Sequence, residues 1–371
     1  MKILIAVDSF KGTLSSIEVA KLIENHINKE LHSVDIIATG DGGEGTVDAL
    51  MFATHGEKKE LQAQGAHGQL KDSYYCLSDN RKTGILEIAL SSGIHSLKES
   101  ELNPLETTTF GLGETINDAL DEGVNKLVIA IGGSSTNDAG TGMLKALGVK
   151  FYDVNNQEIQ VMNGNTIGLV EKIDISGLNP KLKDIFIEVA CDVTNPLLGE
   201  NGCTHIYGGQ KGANKDIKSK LENNMQHYAN VVKKELGTDY SKVPGVGAAG
   251  GLGYGLLTFL GARLLSGLDV VSDATNLVSR IQEADLVITG EGSFDHQSLN
   301  GKAPVKIAEL SKKYNKKVVG VFALSTIDSL PVYFDKILSV VPTVATKKES
   351  LANPEECLNK LIEKECELKN K

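Results

Sequence analysis

The sequence predicts an α/β protein with two α/β domains, the first of which is split by insertion of the second. Three observations support this prediction. A chain of 371 residues is too long for one ordinary hydrophobic core. Short apolar runs typical of buried strands alternate with helical patterns. Between Leu61 and Leu97 helical repeats become rare, whereas the α/β pattern returns at 286–371, so we expect domains at 1–65 plus 270–371 and at 66–269.

The first strand and helix can be read directly from the opening residues. The β-branched run from Ile3 to Val7 predicts a buried strand, and Gly12 marks a turn because glycine adopts backbone angles that other residues avoid. Ser15 and Glu18 form a capping-box pattern, after which apolar residues recur at helical spacing. The loop between strand and helix carries Asp8, Ser9 and Lys11. Open α/β sheets bind ligands at this end of a strand.

Four further strand candidates lead into loops that combine glycine with acidic residues. The loops are TGDGGEGT after the run 34–38, GGSSTNDAGTG after 127–131, CDVTNPLLGENG after 186–190 and TGEGSFDHQSLNGK after 286–288. A structural loop needs a glycine or a cap, but rarely both with acids each time. The five loops together therefore predict one shared site.

Two of the predicted helices have clear patterns. Apolar residues at 221, 225, 228, 232 and 236 form a stripe, which is typical of a helix that faces the core. Asn353 and Pro354 provide a cap and a first-turn proline for the last helix.

Composition excludes several classes of protein. The five cysteines form no CxxC pair, and their odd number disfavours a disulfide framework, so a reducing cytoplasm is expected. The net charge is −10 without a basic stripe, which disfavours a nucleic-acid partner. No apolar stretch is long enough for a membrane span, and no signal peptide is expected. The sequence leaves the oligomeric state open.

Two literal GxGxxG matches do not support a dinucleotide-binding fold. The match 40–45 follows a strand, but Asp41 and Glu44 would repel a pyrophosphate. The match 245–250 follows no strand, and it is read equally well as a flexible loop before a helix near Leu252 or as amides that hold phosphate. A P-loop motif is absent. A dehydrogenase is therefore disfavoured.

Acids, lysines and glycine amides together suit phosphoryl transfer, which needs positioned cations, amides and carboxylates. The acids are Asp8, Asp41, Glu44, Asp138, Asp192, Glu291 and Asp295, and the lysines are Lys11, Lys211 and Lys302. A single aspartate in a loop is usually a turn or helix cap, and Asp138 fits that interpretation. Asp192, which directly follows an apolar run, fits it less well.

These motifs, taken in order, resemble the bacterial glycerate kinase family over nearly the whole chain. The resemblance rests on DSFKGTLSS at 8–16, GDGGEGT at 40–46, IGGSSTNDAGTGML at 131–144, CDVTNPLLGENG at 191–202, GGQKGA at 208–213, GVGAAGGLGYG at 245–255 and TGEGSFDHQSLNGKAP at 289–304. It implies ATP-dependent phosphorylation of D-glycerate with Mg²⁺. It also implies a Rossmann-like or flavodoxin-like domain split by a second α/β domain, with the site in the cleft near residues 65 and 270. Ala139 departs from the family pattern, which commonly has a second glycine there.

The resemblance also implies roles for individual residues. Asp192 is expected to act as general base, with Asp295 as the second candidate and Lys11 as a further catalytic residue. Substrate contacts are expected from Asp8, Ser9, Lys11, Asn195 and Lys211. The expected nucleotide contacts are Gly132, Gly133, Ser134, Ser135, Gly247, Gly250, Gly251, Gly290 and Gly292. Asp41 and Glu44 are the candidate metal ligands.

Other functions stay open at this point. A kinase of another small hydroxy acid and a non-catalytic sensor of glycerate or nucleotide would fit the same scaffold. The retained acids and lysines favour an enzyme over a sensor. Motif spacing does not decide whether the 2- or the 3-hydroxyl is phosphorylated, although the resemblance favours the 2-position. Two-domain kinases commonly close on their substrate, and we expect closure here.

Overall fold

The computed structural model describes residues 1–39, 42–78, 80–296, 298–300, 302–327 and 329–365. The strands are β1 (Lys2–Val7), β2 (Ser33–Ala38), β3 (Glu57–Gln64), β4 (Leu70–Leu77), β5 (Thr83–Glu87), β6 (Lys126–Ala130), β7 (Lys150–Tyr152), β8 (Lys172–Asp174), β9 (Phe186–Ala190), β10 (Arg263–Leu265), β11 (Leu286–Phe294), β12 (Lys317–Ser325) and β13 (Lys336–Ser339). The helices are α1 (Ser16–Asn25), α2 (Thr46–Thr54), α3 (Ile88–Ser92), α4 (Phe110–Asp121), α5 (Thr141–Ala146), α6 (Cys203–Tyr207), α7 (Lys215–Leu236), α8 (Ala248–Leu260), α9 (Gly267–Thr275), α10 (Leu277–Glu283), α11 (Ala303–Lys313), α12 (Val340–Thr343), α13 (Lys347–Ala352) and α14 (Pro354–Glu365).

The chain is a mixed α/β protein that divides into two compact units. The first unit contains the described residues of Met1–Asp41, Asp48–His55 and Val271–Lys371, and the second contains those of Gly42–Val47 and Gly56–Val270. None of the described helices is long and apolar enough to cross a membrane.

The first unit contains a parallel five-stranded sheet in the order β13-β12-β11-β1-β2. Renumbered along this unit alone, the order is 2-1-3-4-5, which is the flavodoxin-like order of a doubly wound sheet. The connections leave β1 and β11 in opposite directions, so the switch point of the topology lies between these two strands. Ligands of open α/β sheets bind outside the carboxyl ends of the strands at such a point.

Helices cover the sheet of the first unit through two apolar clusters. In one cluster, residues of β1 and β11 pack with α1 and α14, where Leu358 and Leu361 are fully buried. In the other, Phe294 and Phe322 stack with ring centroids 4.3 Å apart, beside Val305 of α11. The predicted start of α1 is confirmed, because Ser15 and Glu18 form both hydrogen bonds of the capping box.

The second unit contains a six-stranded mixed sheet in the order β10-β9-β6-β5-β4-β3, together with a separate antiparallel pair, β7 and β8. Strands β5, β6, β9 and β10 run parallel, so their carboxyl ends lie at one edge of the sheet. The predicted core-facing stripe of α7 is confirmed, since Leu221, Met225, Tyr228 and Val232 are fully buried. The three left-handed residues 249–251 interrupt α8, so its regular part begins at Leu252, as predicted.

Two features of the fold differ from the sequence-based expectation. The predicted boundary at residue 65 lies later than Gly56, where the long segment of the second unit begins, because residues 57–64 form β3 in the six-stranded sheet. Strand β3 lies at the edge of the sheet and is mostly exposed, so its sequence lacks an apolar run. The segment 289–294, predicted to be a loop, instead continues β11, since it pairs in register with β12 up to Phe294 and Ser325.

Replacing Leu361 tests the packing of α14 onto the first unit. Leu361→Ala removes a fully buried side chain from this cluster, and we expect the free energy of unfolding to fall by about 2–5 kcal/mol. Urea unfolding followed by circular dichroism measures the change. Leu351→Ala, at a leucine that is 58% exposed, is the control and should shift stability by less than about 0.5 kcal/mol. Equal effects of the two variants would contradict the proposed packing.

Candidate functional site

Residues at the carboxyl ends of three neighbouring strands line up in the first unit. The Asp8 amide donates to the Gly290 carbonyl oxygen (2.9 Å), and the Thr39 amide donates to the Val7 carbonyl oxygen (2.9 Å). Because Val7 pairs with both Ala38 and Gly290, the next residues Asp8, Thr39 and Glu291 lie at one level across β1, β2 and β11. This level is at the switch point of the sheet.

The loop after β1 is a compact turn that exposes a lysine. The Phe10 and Leu14 backbones exchange two hydrogen bonds of 2.9 and 3.1 Å, and the Phe10 side chain is buried. The Ser9 amide donates to Asp8 Oδ1 at 2.6 Å, which orients that carboxylate. Lys11 is exposed at the tip of the turn. The structure thus brings the predicted residues Asp8, Ser9 and Lys11 together in one loop.

Glu291 adds a largely buried carboxylate to this edge. Its Oε2 lies 3.2 Å from Lys302 Nζ, whereas its buried Oε1 has no hydrogen-bond partner in the described part of the chain. Burial raises the pKa of the Glu291 carboxyl, and the side-chain hydrogen bond with Ser298 and the positive charge of Lys302 oppose that rise. A carboxylate oxygen that is buried without a donor is available to a cation or a donor from a ligand.

The other predicted residues on β11 have structural contacts. Gly290 and Gly292 lie within the strand rather than in a loop. A β-carbon added at Gly290 would lie 1.8 Å from the Val321 carbonyl oxygen, so close pairing with β12 explains this glycine. Asp295 Oδ1 accepts a hydrogen bond from the Ser298 amide (3.0 Å) and thereby caps the turn that follows the strand.

In the second unit, the loop 42–47 lies against the ends of β6 and β9. The Gly132 amide donates to the Gly42 carbonyl oxygen at 2.9 Å. A β-carbon at Gly132 would lie 2.7 Å from the α-carbon of Gly43, and one at Gly42 would lie 2.9 Å from the β-carbon of Ala190. Glycine is therefore required on both sides of this contact. Asp41, a predicted metal ligand, lies outside the described residues.

Glu87, which the sequence analysis did not single out, holds the same loop. It ends β5 and is only 4% exposed. Its Oε1 accepts from the Gly45 amide (3.0 Å), and its Oε2 accepts from the Val47 amide (3.1 Å). An acid at the end of the run TGILE was the signal that could have identified it. Glu44, by contrast, is exposed, with His95 Nε2 3.8 Å from its Oε2.

The loop after β6 is held by polar contacts within the unit. The Ser135 amide and hydroxyl both donate to the Ser92 carbonyl oxygen at 2.9 Å. The Gly133 carbonyl oxygen accepts from the Ile94 amide at 2.8 Å. Lys211, a predicted substrate contact, is buried, and its Nζ donates to Ser134 Oγ (2.9 Å) and to the Thr136 carbonyl oxygen (2.6 Å).

Asp138 is a structural carboxylate in this loop. It is fully buried and accepts hydrogen bonds from the Thr109 amide (2.9 Å) and hydroxyl (2.8 Å) and from the Gly140 and Gly142 amides (3.2 Å each). Burial raises the pKa of its carboxyl, and these hydrogen bonds oppose the rise. The cap interpretation of Asp138 is confirmed. Ala139 has a left-handed φ of 53°, a conformation that glycine adopts more readily than alanine.

The loop after β9 contains Asp192 and Asn195. Asp192 is exposed, and its Oδ1 accepts a hydrogen bond from the Gly267 amide (3.0 Å) at the start of α9. The Asn195 side chain is held at both ends, because its Nδ2 donates to the Asn201 carbonyl oxygen (2.8 Å) and its Oδ1 accepts from the Tyr207 hydroxyl (2.6 Å).

The glycine-rich segment before α8 packs closely against these two loops. Residues 249–251 are all left-handed, with φ values of 53°, 66° and 85°. A β-carbon would lie 2.0 Å from the Thr136 carbonyl oxygen at Gly250 and 2.1 Å from the Pro196 carbonyl oxygen at Gly247. The segment therefore joins the ends of β6 and β9 by backbone contact.

The predicted site residues thus form one group in each unit. The group at the carboxyl edge of the five-stranded sheet comprises Asp8, Ser9, Lys11, Gly290, Gly292 and Asp295. The group around the carboxyl edge of the six-stranded sheet comprises Glu44, Gly132, Gly133, Ser134, Ser135, Asp192, Asn195, Lys211, Gly247, Gly250 and Gly251.

Replacing Glu87 tests its role in holding the loop 42–47. Glu87→Gln keeps the shape of the side chain but places an NH₂ group against one of two backbone donors, so we expect a loss of about 1–3 kcal/mol in the free energy of unfolding. Chemical denaturation measures this loss. Glu60→Gln, at an exposed glutamate on β3, is the matched control and should change stability little. An unchanged stability of Glu87→Gln would contradict the anchoring role.

Comparison with known proteins finds relatives that match nearly the entire chain. The profile of the Glycerate kinase family matches residues 3–369. Glycerate 2-kinase of Escherichia coli K12 is 44% identical over 355 residues, which cover 94% of this chain and 93% of that protein. Glycerate kinase of Bacillus subtilis 168 is 40% identical over 365 residues, which cover 97% and 95% of the two chains.

A solved structure shows the same fold. A crystal structure described as glycerate kinase 2 from Salmonella typhimurium LT2 superposes with a TM-score of 0.86 at 39% sequence identity, covering 97% of this chain and 95% of that one. The chain therefore belongs to the glycerate kinase family, and it is an enzyme of that type.

Proposed function

We propose that the protein transfers the γ-phosphoryl group of ATP to the 2-hydroxyl of D-glycerate, with Mg²⁺, and releases 2-phosphoglycerate and ADP. The observation that carries this proposal is the 44% identity over 94% of the chain with a relative named Glycerate 2-kinase. The acids, lysines and glycine-rich loops at the carboxyl edges of the two sheets supply the groups that phosphoryl transfer requires.

The loop after β1 is the proposed binding site for the hydroxy acid. Asp8, oriented by the Ser9 amide, would accept a hydrogen bond from a glycerate hydroxyl. The exposed ammonium of Lys11 would pair with the carboxylate or with the transferring phosphoryl group. Asn195 is a further proposed substrate contact, and its two side-chain hydrogen bonds would fix its orientation.

Asp192 is the proposed general base, and Asp295 is the alternative. A glycerate hydroxyl is too weak an acid to ionise alone near neutral pH, so a positioned carboxylate must take its proton as the bond to phosphorus forms. Asp192 is exposed, and its Oδ1 is fixed by the Gly267 amide. Asp295 is fixed similarly by the Ser298 amide. Both carboxylates follow strands at a carboxyl edge.

The proposed nucleotide contacts are the glycine- and serine-rich segments at 132–135, 247–251 and 290–292. Glycine lets a backbone approach phosphate oxygens closely, and backbone amides stabilise their charge. Several of these glycines also serve packing, so contact with nucleotide would be an additional role.

A magnesium ion that arrives with the nucleotide fits the described carboxylates better than an ion held in a protein cage. Within the described ranges, no group of three or more His, Cys, Asp or Glu side chains could hold a metal. Mg²⁺ usually keeps several waters and binds one or two carboxylates together with substrate phosphates. The side chain of Glu44 is 60% exposed and could supply such a ligand. When bound, the ion would neutralise charge on the phosphates.

A coupled assay of ADP release tests the proposed reaction. We expect turnover that requires both D-glycerate and Mg-ATP, and phosphorus NMR of the product should show coupling to the single proton on C2. Coupling to two methylene protons would assign the 3-hydroxyl instead. Turnover only with another hydroxy acid would replace the substrate and keep the chemistry. Nucleotide binding without any turnover would favour a sensor.

Replacing each candidate base by asparagine distinguishes the roles of Asp192 and Asp295. Asp192→Asn should lower kcat by about 10²–10⁴-fold, because it removes proton acceptance, while KM for glycerate changes only a few-fold. Steady-state kinetics measures both constants. Asp295→Asn is measured in parallel, and a larger kcat effect there would make Asp295 the base. Asp216→Asn, at an exposed position in the first turn of α7, is the control.

A further inference from the structure

Lys211 is unusual among the lysines because its charged end is inside the protein. Lys211 is 2% exposed and is the last residue of a short 3₁₀ turn, Gly209–Lys211, in the segment GGQKGA. Its Nζ donates to Ser134 Oγ and to the Thr136 carbonyl oxygen, and both acceptors lie on the segment after β6. The ammonium is therefore buried and already has two hydrogen-bond acceptors on that segment.

The charge of Lys211 is not neutralised by a close carboxylate. Within the described part of the chain, no carboxylate oxygen lies within 4.0 Å of its Nζ. The charged or titratable groups that act on it are Asp138 and Cys203. Burial lowers the pKa of Lys211 to about 8, and these two groups oppose the decrease. Burial raises the pKa of Cys203 to about 11, so its thiol stays neutral near pH 8.

The segment that Lys211 holds contains further unpaired polar groups. Thr136 Oγ1 and Asn137 Nδ2 are buried and have no hydrogen-bond partner among the described residues, although both can donate. Gly250 packs closely against the same segment, since a β-carbon there would lie 2.0 Å from the Thr136 carbonyl oxygen. The buried cation beside this segment and the two buried donors on it favour an anion, and the nearby buried carboxyl of Asp138 offsets part of that preference.

We infer that Lys211 is a positioning residue, which fixes residues 134–136 in the conformation that binds the phosphates of the nucleotide and adds its charge to their binding without touching them. This inference rests on the proposed function, because it takes the segment 132–136 to be a phosphate-binding loop. It replaces the expected direct contact of Lys211 with substrate. The charge acts on the bound nucleotide in the ground state and in the transition state alike, so it strengthens binding more than it speeds transfer.

The pH dependence of nucleotide binding follows from the titration of this amine. Below about pH 8 Lys211 is protonated and the loop carries its positive charge; above that pH the charge is lost. We therefore expect Kd for Mg-ADP and KM for Mg-ATP to rise as pH increases through about 8. Because folding lowers the pKa of this amine, burial of its charge destabilises the protein below that pH, and stability should rise slightly above it.

The experiment compares wild-type protein with Lys211→Met and with the control Lys220→Met, which removes an exposed lysine of α7. Calorimetry measures Kd for Mg-ADP, and steady-state kinetics measures kcat and KM, from pH 6.5 to 9. Lys211→Met should raise Kd and KM on the order of tenfold at pH 7, with kcat changed only a few-fold. It should also abolish the rise of Kd around pH 8, whereas Lys220→Met should behave as wild type.

Each outcome decides the inference separately from the proposed reaction. Unchanged Kd and pH profile in Lys211→Met would overturn it, as would a loss of kcat with unaltered Kd. If this variant fails to fold, the wild-type profile decides, because a Kd that does not change between pH 7 and 9 overturns the inference. If wild type binds Mg-ADP but does not phosphorylate glycerate, the proposed function fails while the Kd comparison still tests Lys211. If wild type binds no nucleotide, the inference is wrong.

Discussion

Close approach of backbone to backbone is the constraint on which the second unit depends. The segments that follow β6 and β9 both meet the segment before α8 at distances that leave no room for a β-carbon, and the segment after β6 meets the loop 42–47 in the same way. Gly132, Gly247 and Gly250 each lie so near another main chain that a methyl group would be only 2.0–2.7 Å from it. Because main-chain atoms cannot rotate aside as side chains do, these glycines determine the shape of the edge.

Charged side chains then stabilise the shape that the glycines permit. Glu87 accepts hydrogen bonds from two amides of the loop 42–47, and Lys211 donates two hydrogen bonds to the loop after β6. Asp138 accepts four hydrogen bonds inside the same unit. A buried charge is tolerated only where hydrogen bonds or an opposite charge compensate its lost hydration. Asp138 is compensated by four hydrogen bonds, whereas Lys211 is compensated by only two hydrogen bonds and by the nearby Asp138 and Cys203.

The sequence predicted those parts of the fold that have a strong local pattern. Continuous apolar runs identified β1, β6 and β9, and a capping box identified the start of α1. Strand β3 was missed because an exposed edge strand needs no apolar run, and the extension of β11 was missed because glycines and an acid resemble a loop. Glu87 was missed since its role depends on residues 40 and 42 positions earlier, which only the tertiary structure brings near.

The candidate site was predicted as a set of residues rather than as a geometry. Spacing along the chain located acids and glycines at strand ends, but it could not distinguish a glycine needed for packing from one that meets a ligand. Gly290 and Gly247 are needed at least for packing. Nor could it show that the ammonium of Lys211 is turned inward, because a lysine in a glycine-rich segment is usually exposed.

The glycines of this edge differ in how much natural variation they can accept. At Gly247 and Gly250 the obstacle is a carbonyl oxygen, so a saturation library should contain no functional replacement at either codon. Gly133 is different, since its φ is 72° but the nearest atom to an added β-carbon would be 3.7 Å away. Asparagine, which tolerates left-handed backbone, would fit there. Packing alone therefore restricts Gly133 less than it restricts Gly247 and Gly250.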